Sequence, residues 1–205
     1  MIVVVDYRMG NLGSIANILR KVGAEAVVSA DANVIGEATK LILPGVGAFD
    51  EGMKNIGTLG LREVLDRRVL RNRVPTLGIC LGMQLMARRS EEGESPGLGW
   101  IAGDVKRFRF APEQAKLKVP HMGWNTVKAQ KRSPLFDGFA EPPRFYFVHS
   151  YYIVCDDAGD VLATASYGGD FTAAVQKGNL MGVQFHPEKS HKFGMALFRN
   201  FVEYF

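Results

Sequence analysis

The first half of the chain alternates short apolar runs with segments of helical periodicity, and this pattern constrains the fold most. Four apolar runs predict strands, at residues 2–5, 26–28, 41–43 and 75–79, and the first and the last of these are expected to be buried. Helical segments follow these strands, at residues 14–22, from Asp31, at 61–73, and from 81 to about 89. Because strands that alternate with helices form parallel sheets with right-handed crossovers, the sequence predicts an α/β protein.

The second half of the chain predicts mainly strands. The candidates lie at residues 105–110, 125–129, 145–154, 161–166, 173–176 and 180–185. We expect a hairpin turn at Lys177-Gly178-Asn179 and a closing amphipathic helix from about His191 to Tyr204. The stretch from Glu91 to Gly99 is loop-like without marking a boundary, so the 205 residues are expected to form one domain.

Composition and charge argue against several classes of protein. The chain is 47% hydrophobic and 22% charged, which is typical of globular proteins and not of disordered or fibrous ones. Its formal net charge of +4 does not by itself indicate nucleic-acid binding, which needs clustered charge. Two cysteines suit a reducing compartment, and the N-terminal apolar run is too short for a signal or a membrane span. We therefore expect a soluble, cytoplasmic protein with no membrane partner.

The segment Gly78-Ile79-Cys80-Leu81-Gly82 lies between a predicted strand and a predicted helix, which is the setting of a nucleophile elbow. The two glycines leave room for a strained, tightly packed nucleophile. Cys80 would stand at the carboxyl edge of the sheet and at a helix N-terminus, where the helix dipole favours a thiolate. We therefore predict that Cys80 is a nucleophile. Cys155 has no glycine elbow and is predicted to be structural.

A cysteine nucleophile needs a base, and His186 is the best candidate among the four histidines. It follows a predicted strand and precedes Pro187, which favours an extended backbone. Since positions two apart in an extended chain share a face, Glu188 would lie behind the imidazole and orient it, as in a triad. By itself the segment could be a polar turn. The zinc-deaminase pattern H-x-E lacks its P-C-x-x-C partner here, so no metal is expected.

Two backbone N–H groups are candidates for an oxyanion hole. One belongs to Leu81, directly after the nucleophile. The other belongs to Val46 in the loop Pro44-Gly45-Val46-Gly47, where flanking glycines let the peptide rotate between two states. Gln84 lies one helical turn after the nucleophile and could hydrogen-bond a neutral amide substrate. Taken alone, the loop could be an ordinary strand exit and Gln84 a half-buried polar residue.

Together these segments resemble the class I, or triad-type, glutamine amidotransferases. The elbow through Gln84 and the late His186-Pro187-Glu188 are that family's two signatures. Further segments resemble its histidine-biosynthesis branch: 6–7 with 10–12, 44–49, 120–125 and 146–151. The resemblance spans essentially the whole chain. It implies one domain over residues 1–205 with a flavodoxin-like α/β fold, in which helices flank a mostly parallel central sheet with additional antiparallel strands in the second half.

The resemblance also implies a reaction and a partner. Cys80 would attack the side-chain amide of glutamine, His186 would protonate the leaving ammonia, and water would release glutamate. The ammonia would pass to a cyclase subunit, a (β/α)₈ barrel, in a heterodimer that makes imidazole glycerol phosphate and AICAR without a cofactor in the glutaminase. The residues implied to hold glutamine are Gly45, Gln84, Ser150 and Tyr151. The residues implied to face the cyclase are Asn11, Trp124 and Lys189.

Two other functions stay open on the sequence alone. The chain could be the glutaminase subunit of another amidotransferase, of the anthranilate, aminodeoxychorismate or pyridoxal-phosphate type. Val46 and the segment around Trp124 argue against these. It could also be a non-enzymatic thiol sensor or chaperone of the same architecture, which would keep the elbow cysteine without needing His186 and Glu188. Glutamate release in the presence of candidate synthase partners separates these functions.

Overall fold

The computed structural model describes residues 1–205 and contains thirteen strands and six α-helices. The strands are β1 Ile2–Val5, β2 Ala26–Ser29, β3 Lys40–Leu43, β4 Thr76–Ile79, β5 Arg89–Ser90, β6 Gly103–Arg107, β7 His121–Thr126, β8 Lys128–Ala129, β9 Arg144–His149, β10 Tyr151–Cys155, β11 Val161–Ser166, β12 Asp170–Lys177 and β13 Leu180–Val183. The helices are α1 Leu12–Lys21, α2 Ala32–Gly36, α3 Phe49–Thr58, α4 Arg62–Asp66, α5 Leu81–Leu85 and α6 His191–Tyr204.

The central sheet has eight strands in the order β2-β1-β3-β4-β13-β12-β11-β8. The strands from β2 to β13 in this order are parallel, and β12, β11 and β8 continue the sheet in antiparallel pairing. A three-stranded sheet, β10-β6-β5, and a two-stranded sheet, β7-β9, complete the fold. The expectation of an α/β fold with a mostly parallel sheet and additional antiparallel strands is confirmed.

The core lies in two layers on opposite faces of the central sheet. In β1, Ile2 and Val4 pack with residues of α1 and α6, whereas Val3 and Val5 pack with residues of α3, α4 and α5. Because β1, β3, β4 and β13 are largely buried on both faces, they are continuous apolar runs in the sequence. Strand β2 lies at the edge of the sheet, and its Val27 and Val28 are exposed. None of the helices is both long and apolar enough to cross a membrane.

Several helix boundaries differ from the sequence expectation. Helix α1 begins before Ser14, because the Oδ1 of Asn11 caps it by accepting the Ser14 N–H at 3.3 Å. The helix expected over residues 61–73 is α4 followed by a π-helical turn at Arg67–Arg71. Helix α3 was not expected, since its glycines weaken the helical signal. One of them, Gly52, packs closely on α5, because a Cβ there would lie 3.1 Å from a methyl group of Leu85.

Strand pairing explains the other differences. The expected strand over 145–154 is divided at Ser150, because β9 pairs with β7 while β10 pairs with β6 in a different sheet. The strand expected over 125–129 is similarly divided between β7 and β8. Helix α5 ends at Leu85, before the expected residue 89, since Arg89 pairs with Asp104 of β6. The expected turn at 177–179 joins β12 to β13.

Candidate active site

Cys80 lies between the end of β4 and the start of α5, in a strained backbone conformation. Its φ of 52° and ψ of −109° fall in a region that residues with side chains rarely adopt. The glycines on either side are required by close approach. A Cβ on Gly82 would lie 1.8 Å from the Leu43 carbonyl oxygen, and a Cβ on Gly78 would lie 2.7 Å from the Met83 nitrogen. The strand–turn–helix geometry is therefore that of a nucleophile elbow.

The side chains of His186 and Glu188 lie together as expected, but the backbone reason differs. His186 is extended, whereas Pro187–Lys189 form a 3₁₀ turn that brings Glu188 back to the imidazole. The His186 Nδ1 and the Glu188 Oε1 are 2.7 Å apart, and each side chain is only 1% exposed. His186 lines the same cavity as Cys80, and its Nε2 has no hydrogen-bond partner. One ring nitrogen is thus held by a buried carboxylate while the other remains free for the thiol or a substrate.

Two residues that the sequence analysis did not single out hold this turn. The Ser190 hydroxyl donates to the His186 carbonyl at 2.6 Å and accepts the Tyr146 N–H at 3.0 Å. In α6, a Cβ on Gly194 would lie 1.8 Å from the Pro187 carbonyl oxygen, so the helix packs directly on the turn. These contacts fix the backbone that carries the imidazole and the carboxylate.

The electrostatics of the site favour a proton on His186. Burial by itself would lower the pKa of His186. The interactions with Cys80 and Glu188 outweigh this effect and raise the pKa to about 10. Burial and the neighbouring charge of Cys80 raise the pKa of Tyr7, so its hydroxyl stays protonated and donates to the Pro44 carbonyl. The site therefore combines an imidazolium beside the sulfur with a neutral phenol that holds the loop after β3.

A cavity of about 240 Å³ opens at Cys80. Five further predicted site residues line its walls together with Cys80 and His186: Val46, Leu81, Gln84, Ser150 and Tyr151. Gly45 lies against the elbow, since a Cβ there would be 2.6 Å from the Leu81 Cβ. The candidate oxyanion loop thus borders the same cavity as Cys80.

The loop that carries Val46 has free backbone donors. The N–H groups of Gly45, Val46 and Gly47 donate no hydrogen bond within the protein. The positive φ in this loop falls on Gly47, at 129°, and not on Gly45. The N–H of the peptide between Gly45 and Val46 has no acceptor within the protein. Rotation of this peptide therefore breaks no hydrogen bond made by that N–H.

Glu92 is a wall residue that the sequence analysis missed. Its Oε2 accepts the Phe49 N–H at 2.9 Å, and burial raises the pKa of its carboxyl group. Nothing in the sequence separates Glu92 from the neighbouring acidic loop residues, because its position depends on how the loop after β5 folds over α3. The cavity therefore contains an acidic group that could accept an ammonium ion.

Two buried histidines support the segment that supplies Ser150 and Tyr151. The His149 Nδ1 lies 2.7 Å from the Tyr151 carbonyl oxygen and its Nε2 lies 2.9 Å from the His121 Nδ1. A carbonyl only accepts, so His149 donates from Nδ1 and accepts at Nε2. Burial lowers the pKa of His149 to about 3 and that of His121 to about 4, so both are neutral near pH 7. They hold the cavity wall without adding charge.

The three residues expected to face a partner lie outside the active-site cavity. Asn11 caps α1, and Trp124 is 40% exposed and stacks on the His191 ring, 5.5 Å between centroids. The Lys189 ammonium lies 5.8 Å from the centre of the Tyr146 ring. A second cavity, of about 350 Å³, is lined by residues of α1 with Glu188, Lys189 and His191. No group of three or more His, Cys, Asp or Glu side chains is arranged to bind a metal ion.

An elbow cysteine in one cavity with an imidazole–carboxylate pair agrees with the family to which the sequence is matched. The chain belongs to the family described as glutamine amidotransferase class-I, whose model matches residues 3–204. Within this family the chain is similar to proteins called imidazole glycerol phosphate synthase subunit HisH. It is 54% identical to HisH 2 of Pseudomonas aeruginosa and 51% identical to HisH 2 of Methanococcus maripaludis, with 99% of each chain covered in both cases. The resemblance expected from the sequence is confirmed.

Solved structures support the fold. A crystal structure of a glutamine amidotransferase superposes with a TM-score of 0.75 at 21% identity, covering 98% of this chain and 97% of that one. A structure of PurLQS from Thermotoga maritima superposes with a TM-score of 0.68 at 20% identity, covering 99% of this chain and 97% of that one. The architecture is therefore shared well beyond the range of close sequence similarity.

Proposed function

We propose that the chain, as one domain over residues 1–205, hydrolyses glutamine to glutamate and ammonia for a synthase of histidine biosynthesis. The observation that carries this proposal is the His186 imidazole. It borders the cavity of Cys80 with a free Nε2, while the buried Glu188 holds its Nδ1. The close relatives named as subunits of imidazole glycerol phosphate synthase support the choice of synthase.

The reaction begins with Cys80 as a thiolate and His186 as an imidazolium, the pairing that the raised pKa of His186 favours. The sulfur attacks the carboxamide carbon of glutamine, and a carbon–sulfur bond forms. His186 gives its proton to the amide nitrogen, the carbon–nitrogen bond breaks, and ammonia leaves a thioester. His186 then takes a proton from water, which attacks the thioester and releases glutamate and the free thiolate.

The developing negative charge on oxygen needs backbone donors. Leu81 is the first residue of α5, so its N–H has no acceptor within the helix. The N–H of Val46, which is likewise free, supplies the second donor once its peptide faces the cavity. Together they form the oxyanion hole of the proposed reaction.

Glutamine binding uses the remaining walls of the cavity. Both hydrogens of the Gln84 Nε2 are donated within the protein, at 3.1 Å to Tyr151 O and 3.0 Å to Gln184 Oε1, while its Oε1 accepts none. We assign that Oε1 and the backbone of Gly45, Ser150 and Tyr151 to the substrate. The carboxylate of Glu92, which lines the same cavity, accepts hydrogen bonds from the ammonium group of glutamine.

Ammonia leaves towards a cyclase subunit, a (β/α)₈ barrel in a heterodimer with this chain. Glu188 lines the second cavity, so the carboxylate that orients His186 separates that cavity from the active site. Lys189 borders the second cavity, Trp124 stacks on His191 of its wall, and Asn11 precedes the first turn of α1 beside it. We assign these three residues to the interface.

Replacing Lys189 by alanine should lower glutamine-dependent synthesis by the complex about tenfold, the effect of losing one charged contact. Synthesis supported by external ammonia should stay near the wild-type rate, because the cyclase site is untouched. Lys192→Ala is the matched control, since Lys192 is exposed and pairs with Glu141 at 2.8 Å. An unchanged glutamine-dependent rate in Lys189→Ala would remove Lys189 from the proposed interface.

The isolated chain should be nearly inactive, and the cyclase with its nucleotide ligand should raise glutaminase turnover by at least about 10². The reason is that the Gly45–Val46 peptide can offer either its N–H or its C=O to the cavity, and one oxyanion donor contributes on the order of 10²–10³ in rate. A partner that binds one loop state better shifts the equilibrium towards it. Turnover is measured for the chain alone, with cyclase, and with cyclase plus nucleotide. Full activity in the chain alone would contradict the switch.

The test of the function itself is glutamate release from glutamine. Release that is stimulated by the imidazole glycerol phosphate cyclase, and not by anthranilate, aminodeoxychorismate or pyridoxal-phosphate synthase subunits, supports the proposal. Stimulation by one of the other subunits would instead assign the chain to that synthase. No release with any partner would favour a non-enzymatic thiol protein.

A further inference from the structure

Gln184 is a fully buried amide directly beside the proposed nucleophile. It follows β13, the strand that pairs in parallel with β4, so the sheet places Gln184 next to Cys80. The N–H of Cys80 donates to the Val183 carbonyl at 2.7 Å, and the Gln184 Nε2 donates to the Cys80 Sγ at 3.6 Å. The segment that follows β13 therefore supplies two side chains to the sulfur, Gln184 and His186.

The orientation of the Gln184 amide is fixed by its neighbours. Its Oε1 accepts a hydrogen bond from the Gln84 Nε2 at 3.0 Å, and the same Gln84 Nε2 also donates to the Tyr151 carbonyl at 3.1 Å. A reversed amide would place two N–H groups against each other, so only one orientation presents a donor to Cys80. Gln84, whose Oε1 is assigned to the substrate, thereby holds the Gln184 amide in the orientation that points an N–H at the sulfur.

A buried amide is costly unless its polar atoms find strong partners. The sulfur is the one hydrogen-bond partner of the Gln184 Nε2, and a neutral thiol is a weak acceptor. A thiolate is a much better one, since hydrogen bonds to charged groups are roughly twice as strong as neutral ones. An apolar side chain of similar volume would fill the site without this cost. The amide is therefore matched to the charged form of Cys80.

The geometry points to Gln184 as a positioning residue of the nucleophile, which stabilises and aims the Cys80 thiolate through its N–H while Gln84 holds its carbonyl. This role rests on the proposed function only in taking Cys80 as the nucleophile. The titratable groups around the sulfur are His186, Glu188, Tyr7, Glu92 and His149. All of them remain in the variants below.

The experiment measures alkylation of Cys80 by iodoacetamide over a wide pH range, with mass spectrometry to assign the modified cysteine. Gln184→Met keeps the side-chain length and removes the donor. Its alkylation rate near neutral pH should fall about tenfold, which corresponds to about 1.4 kcal/mol for one hydrogen bond to a charged sulfur. At alkaline pH, where the thiol ionises without help, the rate should approach that of the wild type. A role in packing alone would not shift the profile along the pH axis.

Three further variants make the result decisive. Gln184→Glu places a negative charge beside the sulfur and should lower the neutral-pH rate further. Gln84→Met removes the donor that holds the Gln184 carbonyl, so an intermediate fall is expected even if Gln184→Met does not fold. Asn200→Leu is the control, because it removes a buried amide that bonds the Leu135 and Asp137 carbonyls far from Cys80 in sequence. Its profile should match the wild type.

Identical pH profiles in the wild type, the Gln184 variants and Gln84→Met would overturn the role of Gln184. The measurement uses neither glutamine nor the cyclase, so it is independent of the proposed reaction. If the wild-type complex released no glutamate while the Gln184 variants still shifted the profile, the proposed function would fail and the positioning role would stand.

Discussion

Cys80→Ala should abolish glutamate release, with a loss on the order of 10⁶ in turnover, as expected when a triad nucleophile is removed. The reason is that a thioester cannot form without the sulfur. Alanine retains the Cβ and the same backbone penalty at a φ of 52°, so the elbow and the binding of the cyclase should persist. The measurement is glutaminase turnover by the complex, with circular dichroism and partner binding as checks of the fold.

Cys155→Ala is the matched control for this variant. Cys155 is a half-buried free cysteine in β10, and burial raises its thiol pKa to about 11, so it is poorly reactive near neutral pH. Its replacement should leave turnover unchanged. An electrophilic glutamine analogue should label Cys80 and spare Cys155. Labelling chiefly at Cys155, or normal turnover in Cys80→Ala, would exclude Cys80 as the nucleophile.

His186→Ala should also lose on the order of 10⁶ in turnover, whereas Glu188→Gln should lose less, on the order of 10⁴. In the proposed reaction His186 transfers the proton to the leaving nitrogen, and no other residue replaces it there. Glu188 lies 2.7 Å from the imidazole Nδ1, and in the proposed reaction it acts through the imidazole and makes no bond to the substrate. Steady-state turnover with saturating cyclase and nucleotide compares the two variants directly.

The double variant separates chemistry from folding. In His186→Ala the buried Glu188 carboxylate loses its partner, which destabilises the fold. Adding Glu188→Gln removes that unpaired charge, so the double variant should be more stable than His186→Ala and no less active. An equal loss of turnover in Glu188→Gln and His186→Ala, with both folded, would give Glu188 a role other than orientation.

Local patterns in the sequence were sufficient for the outline of the fold. The apolar runs of β1, β3 and β4 are buried on both faces, which is why they predict parallel strands. Helix α3 escaped prediction, because its Gly52 weakens the helical signal, while in the fold this glycine packs closely against Leu85. The division of the chain at Ser150 also escaped it, since that boundary reflects a change of pairing partner between two sheets.

The sequence by itself determined the parts of the candidate site that depend on neighbouring residues. Glycines 78 and 82 flank Cys80 because the elbow admits no Cβ there, and Glu188 reaches His186 because only one residue separates them. The extended backbone expected from the sequence ends at His186, since Pro187–Lys189 form a 3₁₀ turn. Their predicted roles in catalysis stay predictions. Each pattern is local, so short-range geometry is enough to interpret it.

Only the tertiary structure decided which distant residues complete the cavity. Gln184 reaches Cys80 across 104 positions in the chain, and it reaches Gln84 across 100. Glu92 enters the wall by accepting the Phe49 N–H, and His149 supports the Tyr151 carbonyl after a change of sheets. These contacts follow from the pairing of β4 with β13 and from the path of the loops, which side-chain periodicity does not encode.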